Sequence, residues 1–251
     1  MKLSVLIPIY NERSTLAEIV RRVEAVPIDK EIIIVDNVST DGTREALQSW
    51  LESGRAGDEG SDARLRVVFQ SVNHGKGASV RRALSLARGE WVIIQDADLE
   101  YDPADYLRLF ARAEGTRPDG RRRRKLHAVF GTRLVPGSAT RANQPRTAFY
   151  YGRVGFSLFF RLLYAAPFAD VATCYKLMQR EFATGLDLKS DGFNLDFELS
   201  AKIALAWKRG ARIAEIPISY APRTELEGKK IRAVHDGWRA MMALLRFRFL
   251  N

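Results

Sequence analysis

The sequence is short of three things: cysteine, long apolar runs and acidic side chains. Its one cysteine, Cys174, excludes an internal disulfide and is typical of a chain from a reducing compartment. No apolar run approaches the roughly 20 residues that cross a bilayer, and the N-terminal run is too short for a signal peptide. We therefore expect a cytoplasmic protein that is soluble or attached peripherally to the cytoplasmic face of a membrane.

The shortage of acids leaves a net positive charge. The 40 lysines and arginines outnumber the 30 aspartates and glutamates, so the formal charge is +10. Such a charge predicts an anionic partner: nucleic acid, an acidic membrane surface or a phosphorylated substrate. The most basic segment, 121–125, has no interleaved aromatic residues and no nucleic-acid-binding motif, so we expect no nucleic acid.

Short apolar runs alternate with stretches of helical periodicity, and this alternation predicts an α/β fold. Runs typical of strands lie at 3–9, 31–35, 65–70, 91–94 and 127–131, and an edge strand is expected at 213–218. At these intervals the helices would form right-handed crossovers around a Rossmann-like, mostly parallel central sheet. The 46% hydrophobic content is enough for a sizeable core.

Carboxylates follow three of these strands. Glu12 follows the first strand, Asp36 the second, and Asp96 and Asp98 the fourth. Because the C-terminal ends of parallel strands meet at one edge of a sheet, we expect these acids to line one cleft. Asp96, Asp98 and Glu100 would repel one another without a cation between them. Their hard oxygens suit Mg²⁺ or Mn²⁺, and a solvated acidic turn is the alternative interpretation.

Seven segments, taken in order, resemble family-2 glycosyltransferases of the GT-A fold: LIPIYNE, IIIVDNVSTDGT, NHGKGAS, IIQDADLEYDP, FGTR, DVATCYK and EIPISYAPRTELEGKKI. Within that family the sequence is most similar to the dolichyl- and polyprenyl-phosphate hexose synthases, which transfer mannose or glucose. The resemblance runs from Leu3 to about Gly237. It implies transfer of a hexose from a GDP- or UDP-sugar to a polyprenyl phosphate, with inversion at the anomeric carbon and with Mg²⁺ or Mn²⁺ as cofactor.

The resemblance also implies one domain over residues 1–251. Residues 1–132 would form its nucleotide-sugar half, 133–232 its acceptor-side half and 233–251 a C-terminal amphipathic helix. The donor-binding positions that it carries over are Pro8, Tyr10, Glu12, Asp36, Lys76, Asp96, Arg223 and Lys229. Asp36 would accept N–H groups of the base. The loop that contains Arg223 would close over the diphosphate and exclude water.

Catalysis is expected at Asp98, Arg133 and Glu198, and the expected metal ligands are Asp96, Asp98 and Glu100. The mannose enzymes often have glutamine at the position of Glu100. Arg133, assisted by Arg146, would bind the acceptor phosphate through bidentate pairing. A phosphate monoester, with its second pKa near ~6, is already mostly dianionic at neutral pH, so it needs arginines more than a base. A hydroxyl acceptor does need a base, and Glu198 is the candidate for that role, its alternative being a structural one.

Two aromatic, basic segments, 147–168 and 233–249, predict contact with an anionic membrane surface. Their apolar residues alternate with arginines, a pattern typical of helices that lie among lipid headgroups. For 147–168 the alternative is a core helix or a dimer helix.

Three other functions remain as alternatives. A hydroxyl-directed glycosyltransferase would keep the donor chemistry and change the acceptor. A nucleotidyltransferase would need a Gly-rich phosphate loop after the first strand, and LIPIYNE has none. A non-catalytic basic module for membranes or nucleic acid has no use for acids at three strand ends, which face its anionic ligand.

Overall fold

Seven strands form one sheet in the computed structural model, which describes residues 1–115, 124–134, 148–223 and 233–249. The strands are β1 (Leu3–Ile9), β2 (Lys30–Asp36), β3 (Leu65–Phe69), β4 (Trp91–Ile94), β5 (Ala128–Thr132), β6 (Lys176–Gln179) and β7 (Ile213–Pro217). Their order across the sheet is β3-β2-β1-β4-β6-β5-β7. β1 to β4 are parallel, β6 is antiparallel to both neighbours, and β7 is parallel to β5. The mostly parallel sheet is confirmed, with β7 at an edge as expected.

Helices connect the strands and continue the alternation that the sequence predicts. They are α1 (Leu16–Ala25), α2 (Thr43–Glu52), α3 (Lys76–Leu86), α4 (Tyr106–Ala113), α5 (Ala148–Tyr164), α6 (Arg180–Gly185), α7 (Leu195–Lys208) and α8 (Ala233–Phe249). A short 3₁₀ turn, Pro103–Asp105, precedes α4, and the Asp102 side chain caps it by accepting the Ala104 N–H. The missing N–H of Pro103 suits this first position of the turn.

Both faces of the sheet are covered by helices. One face receives four side chains of α1 at helical spacing: Leu16, Ile19, Val20 and Val23. The other face receives side chains of α3 and α7: Val80, Ala83, Leu195, Leu199 and Ile203. Each fully buried aliphatic side chain of this kind contributes about 1.5–3 kcal/mol. The helices cover the two faces of the sheet, and the polar residues that follow β1, β2 and β4 lie at its C-terminal edge.

A third apolar cluster lies outside the sheet, among α5, α7 and α8. Phe160 and Tyr164 of α5 pack there with Leu244 and Phe247 of α8. The Tyr164 hydroxyl also donates to the backbone carbonyl of Leu244 at 2.7 Å. Because these side chains are buried, one face of α5 is a core face, which agrees with the alternative interpretation of this segment.

Across the described ranges, no helix combines the length and the apolarity that a membrane crossing requires.

Candidate active site

The acids predicted from the ends of β1 and β4 meet at one edge of the sheet. Arg223 joins them, because its Nη2 donates to Glu12 Oε2 at 3.0 Å and its Nε to the backbone carbonyl of Asp98 at 2.6 Å. β1 and β4 pair so that Leu6 lies opposite Ile94, which brings the segments that follow them side by side. The segments that follow β1 and β4 are therefore neighbours at this edge, and Arg223 links them.

Lys76, the first residue of α3, lies between two carboxylates. Its Nζ is 2.8 Å from Asp96 Oδ1 and 3.0 Å from Asp96 Oδ2, and 3.1 Å from Asp196 Oδ2. Although burial lowers it, the charges of Asp196 and Asp96 raise the pKa of Lys76 well above its ordinary value. Asp196, on α7, was not assigned by the sequence analysis. Its Oδ1 is buried and has no hydrogen-bond partner among the described residues.

Asp98 lies in the most acidic part of the site. Burial, followed by the charges of Asp96 and Glu100, raises the pKa of Asp98 to about 7. The two carboxylate oxygens of Glu100 accept the Tyr220 hydroxyl at 2.8 Å and the Arg223 N–H at 2.9 Å. Glu100 therefore holds the segment 220–223 over the site.

The donor set fits a divalent cation at two carboxylates. Within the part of the chain that the structure describes, no group of three or more His, Cys, Asp or Glu residues has the arrangement of a metal site. Mg²⁺ is usually bound through one or two carboxylates, with substrate phosphates and waters completing its shell. Asp96 and Asp98 suit that pattern. Burial is the largest cause of the raised pKa of Asp98, and the charges of Asp96 and Glu100, which a cation would offset, add to it. The expected third ligand, Glu100, is instead engaged by Tyr220 and Arg223.

The expected base-binding carboxylate, Asp36, is already paired in this structure. It is fully buried at the end of β2, where it accepts the Ser39 N–H and forms an ion pair with Arg44 at 2.9 Å. Pro8 lies near the end of β1, half-buried, and Tyr10 lies just beyond it with 40% of its surface exposed. Arg44 is a neighbour that the sequence analysis missed, because it enters from α2, eight residues along the chain.

The glycines beside Lys76 allow a close approach of two backbone segments. The Gly77 N–H donates to the Asp191 carbonyl at 2.6 Å, and a Cβ at Gly77 would lie 2.1 Å from the Ser190 carbonyl oxygen. Gly75 has a φ of +93°, a conformation that side-chain-bearing residues rarely adopt. The glycines therefore clamp the start of α3 onto the loop 190–191.

Gly77→Ala is expected to lower the free energy of unfolding by about 1–3 kcal/mol, because the new methyl group would overlap a backbone carbonyl that cannot turn away. Gly152→Ala is the matched control, because Gly152 is also helical and has nothing within 4 Å of a Cβ. That variant is expected to be neutral or to gain up to about 1 kcal/mol from helix propensity. Urea denaturation of both variants measures the difference, and equal stabilities would refute the clamp.

Arg133, the expected acceptor arginine, forms its bidentate pair within the protein. Its Nε and Nη2 donate to the two oxygens of Asp170 at 2.7 and 2.8 Å, and its backbone N–H donates to Asp170 as well. Its guanidinium lies over the Tyr220 ring, 4.9 Å from the centroid. Glu215 accepts the backbone N–H groups of Ala169 and Asp170, so it fixes the same turn. Arg133 therefore joins the turn at Ala169 and Asp170 to the segment 220–223.

Glu198 has a structural position. It is fully buried, and its oxygens accept the backbone N–H groups of Lys189 and Ser190 at 2.8 and 2.7 Å. Lys202 pairs with it at 2.8 Å. Burial opposes the shift, but the hydrogen bonds from Lys202 and Ser190 hold the pKa of Glu198 below its ordinary value. In this structure Glu198 therefore supports the loop 189–191, the structural role expected as its alternative.

Two of the expected site residues, Arg146 and Lys229, lie outside the described residues.

A comparison with known protein families decides the class. Residues 4–183 match the family model "Glycosyl transferase family 2". The chain belongs to glycosyl transferase family 2. This glycosyltransferase is 28% identical to the glycosyltransferase AglJ of Haloferax volcanii, over 96% of this chain and 70% of that protein.

Two further relatives of this glycosyltransferase have names that mention a lipid phosphate. One is the dolichol-phosphate mannosyltransferase of Saccharomyces cerevisiae, with 26% identity over 90% of this chain and 80% of the relative. The other is the undecaprenyl-phosphate mannosyltransferase of Micrococcus luteus, with 26% identity over 91% of this chain and 87% of the relative.

A solved structure shows the fold of this glycosyltransferase. The glucosyl-3-phosphoglycerate synthase of Mycobacterium tuberculosis, crystallised with Mn²⁺, UDP and phosphoglyceric acid, superimposes with a TM-score of 0.63 at 17% identity. The similarity covers 99% of this chain and 78% of that structure. The GT-A fold implied by the sequence motifs is thereby confirmed.

Proposed function

We propose that this glycosyltransferase moves a hexose from a GDP- or UDP-sugar to a polyprenyl phosphate, with inversion and with the help of Mg²⁺ or Mn²⁺. The observation that carries the proposal is the pair Asp96 and Asp98 at the end of the central strand, flanked by Lys76 and Arg223. A nucleoside diphosphate brings phosphate oxygens that can bind both a cation and these two basic side chains. The names of the relatives support the choice of acceptor.

Each residue of the donor side has a role in this proposal. Asp96 and Asp98 would hold the divalent cation, which neutralises charge on the departing diphosphate. Lys76 and Arg223 would contact the diphosphate oxygens, and the segment 220–223, held by Glu100, would exclude water from the sugar. Glu12 orients Arg223 through their ion pair.

The acceptor assignment agrees with the placement of the acids on α7. Glu198 is enclosed by Lys202 and by two backbone N–H groups, and Asp196 is paired with Lys76. A phosphate acceptor that is already ionised needs neither of them as a base. The turn held by Arg133 and Asp170 would position that acceptor from the other side.

A hydroxyl acceptor is the second candidate, because the buried Oδ1 of Asp196 has no hydrogen-bond partner within the described residues and could accept one from a hydroxyl group. A donor and acceptor screen separates the two. Purified protein is incubated with UDP-glucose, UDP-N-acetylglucosamine or GDP-mannose, with Mg²⁺ or Mn²⁺, and with either polyprenyl phosphate or polyprenol. We expect an acid-labile sugar–lipid phosphate to form with polyprenyl phosphate and no product to form with polyprenol. Transfer to polyprenol, or to neither lipid, would contradict the proposal.

The binding of Mn²⁺ in the presence of UDP or GDP is expected to weaken as the pH falls below about 7. The pKa of Asp98 is raised to about 7, so below that value a proton competes with the cation for the carboxylate. Each pH unit below the pKa should lower the affinity by up to about tenfold, and the affinity should be constant above it. Calorimetric titrations on both sides of neutrality test this, and a flat profile would contradict it.

We also propose that α5 and α8 attach the protein to the cytoplasmic face of an anionic membrane, near the lipid acceptor. On the outer face of α5, Tyr151, Leu158 and Leu162 are exposed, Leu162 at 76%. On α8, Phe249 is 67% exposed and lies beside basic Arg248. These side chains lie on the two helices that pack together in the third apolar cluster. The Arg248 Nε donates to the backbone carbonyl of Leu163 at 3.2 Å, so a basic group of α8 adjoins α5.

Replacing Leu158 and Leu162 together by glutamate is expected to lower binding to anionic liposomes more than tenfold. Each leucine that enters the interface contributes about 1.5–3 kcal/mol, and the new charges would be repelled. Val72→Glu is the control, because Val72 is 56% exposed in the loop between β3 and α3, on another part of the surface. Liposome flotation measures binding. Flotation that is unaffected by the double change, or by removal of the anionic lipid, would refute this attachment.

A further inference from the structure

Lys76 forms an ion pair with Asp96, one of the two carboxylates that would hold the cation in the proposed function. Its ammonium lies within 3.0 Å of both oxygens of Asp96, so a divalent cation bound to this carboxylate would lie beside a resident positive charge. Among the ion pairs of the described residues, Lys76 is the basic partner of both Asp96 and Asp196, whereas Asp98 has no such partner.

The position of Lys76 is set by rigid neighbours. Gly75 and Gly77 clamp the start of α3 onto the loop 190–191, which leads into α7 and Asp196. The loop 190–191 and α7 therefore hold the backbone of Lys76 and also carry its partner Asp196. Only the four-carbon stem of the lysine is left to move, and the ammonium can turn from Asp96 while it keeps Asp196.

We propose that Lys76, held by Asp196, is a built-in counter-cation that keeps Asp96 neutralised until a nucleoside diphosphate arrives. Divalent-cation binding then depends on the donor. The diphosphate supplies negative charge that attracts Lys76 away from Asp96, and its oxygens complete the shell of the incoming cation. This inference rests on the proposed function, since it concerns the same cation site, and Asp196 acts in it as a positioning residue.

Without the lysine, Asp96 would lose the ammonium that offsets its charge, and Arg223 would be the basic side chain left beside Asp98. A divalent cation would then bind more strongly even in the absence of donor, because it would replace no resident charge. With the lysine present, tight binding should require the nucleotide. The effect of the lysine can therefore be measured as a change in the affinity for the divalent cation, without an activity assay.

The test measures Mn²⁺ affinity from the electron paramagnetic resonance signal of free Mn²⁺, with no nucleotide, with UDP and with GDP. We expect Lys76→Met to bind Mn²⁺ at least tenfold more tightly than the unchanged protein when no nucleotide is present. The gain in affinity on adding nucleotide should shrink by a similar factor. Lys2→Met is the control, because it removes the same charge from a pair with Glu114, which lies 3.0 Å away. It should leave the Mn²⁺ affinity unchanged.

A second comparison covers the case in which Lys76→Met fails to fold. The double variant Lys76→Met/Asp196→Asn removes one positive and one negative charge, so it keeps the charge balance of the cluster. Compared with Asp196→Asn alone, it should show the same tenfold gain in nucleotide-free Mn²⁺ affinity. Equal affinities in these two variants, or in Lys76→Met and the unchanged protein, would overturn the counter-cation role.

The two proposals fail in different ways. If the unchanged protein takes up Mn²⁺ with UDP or GDP but the lysine variants gain no nucleotide-free affinity, the inference alone is overturned. If the unchanged protein takes up no Mn²⁺ even with UDP or GDP, the cation site of the proposed function is overturned, and this inference with it.

Discussion

Asp98→Asn is expected to lower the rate of hexose transfer about 1,000-fold, which corresponds to about 4 kcal/mol of lost transition-state stabilisation. The amide is a weaker cation ligand than the carboxylate and has no charge with which to hold the cation against the departing diphosphate. The variant should fold as stably as the unchanged protein, because burial and the charges of Asp96 and Glu100, which raise the pKa of Asp98, all disfavour a charged side chain there. Initial rates with saturating donor and acceptor measure the effect.

Asp102→Asn is the control for this experiment. Asp102 lies four residues further along the same segment, is exposed, and accepts the Ala104 N–H at the start of the 3₁₀ turn. Asparagine can accept the same hydrogen bond, so activity should stay within about twofold of the unchanged protein. Full turnover by Asp98→Asn, or turnover by the unchanged protein after complete chelation of divalent cations, would contradict the proposed role of Asp98.

Asp170→Asn is expected to lower the free energy of unfolding by about 3–5 kcal/mol. Asp170 and Arg133 are both buried, and the aspartate accepts three N–H groups of the arginine. Asparagine has nearly the same shape but leaves the buried guanidinium without a counter-charge. The pKa of Arg133 is raised well above its ordinary value in spite of burial, chiefly by Asp170, so the arginine would stay charged. Urea denaturation measures the loss.

Two further variants make this result specific. Arg133→Met/Asp170→Asn removes both charges and should recover most of the stability, because no uncompensated ion remains. Asp62→Asn removes the partner of Arg88 from a pair on the protein surface, in which Asp62 is fully exposed, and should have no measurable effect. A loss below about 1 kcal/mol in Asp170→Asn, or no recovery in the double variant, would show that this pair does not stabilise the turn at Ala169 and Asp170.

The sequence predicted the strands well because their signal is local. The runs at 3–9 and 91–94 coincide with β1 and β4, and the alternation with helices was enough to predict a parallel sheet. Once the strands are parallel, the positions of Glu12, Asp96 and Asp98 at one edge follow from geometry. The motifs that resemble family 2 identified the class of enzyme for the same reason, since each is a continuous stretch of sequence that can be recognised without the fold.

The sequence did not predict which carboxylate each basic side chain meets. Arg133 was expected at the acceptor phosphate and lies against Asp170, and Glu198 was expected near proton transfer and supports the loop 189–191. The antiparallel direction of β6 was also not predicted, because the chain that leads into it carries no periodic signal of its direction. Such assignments depend on partners that are distant in the sequence.

By itself, then, the amino-acid order determined the α/β alternation, the edge at which the acids gather and the family of transferases. Apolar periodicity and strand-end chemistry act over a few residues, so they can be read without the fold. Only the tertiary structure decided that Lys76 stands between Asp96 and Asp196, which is 120 residues further along the chain. The physical reason is that an ion pair across this distance depends on how α3 and α7 pack against the sheet, and no local pattern specifies that packing.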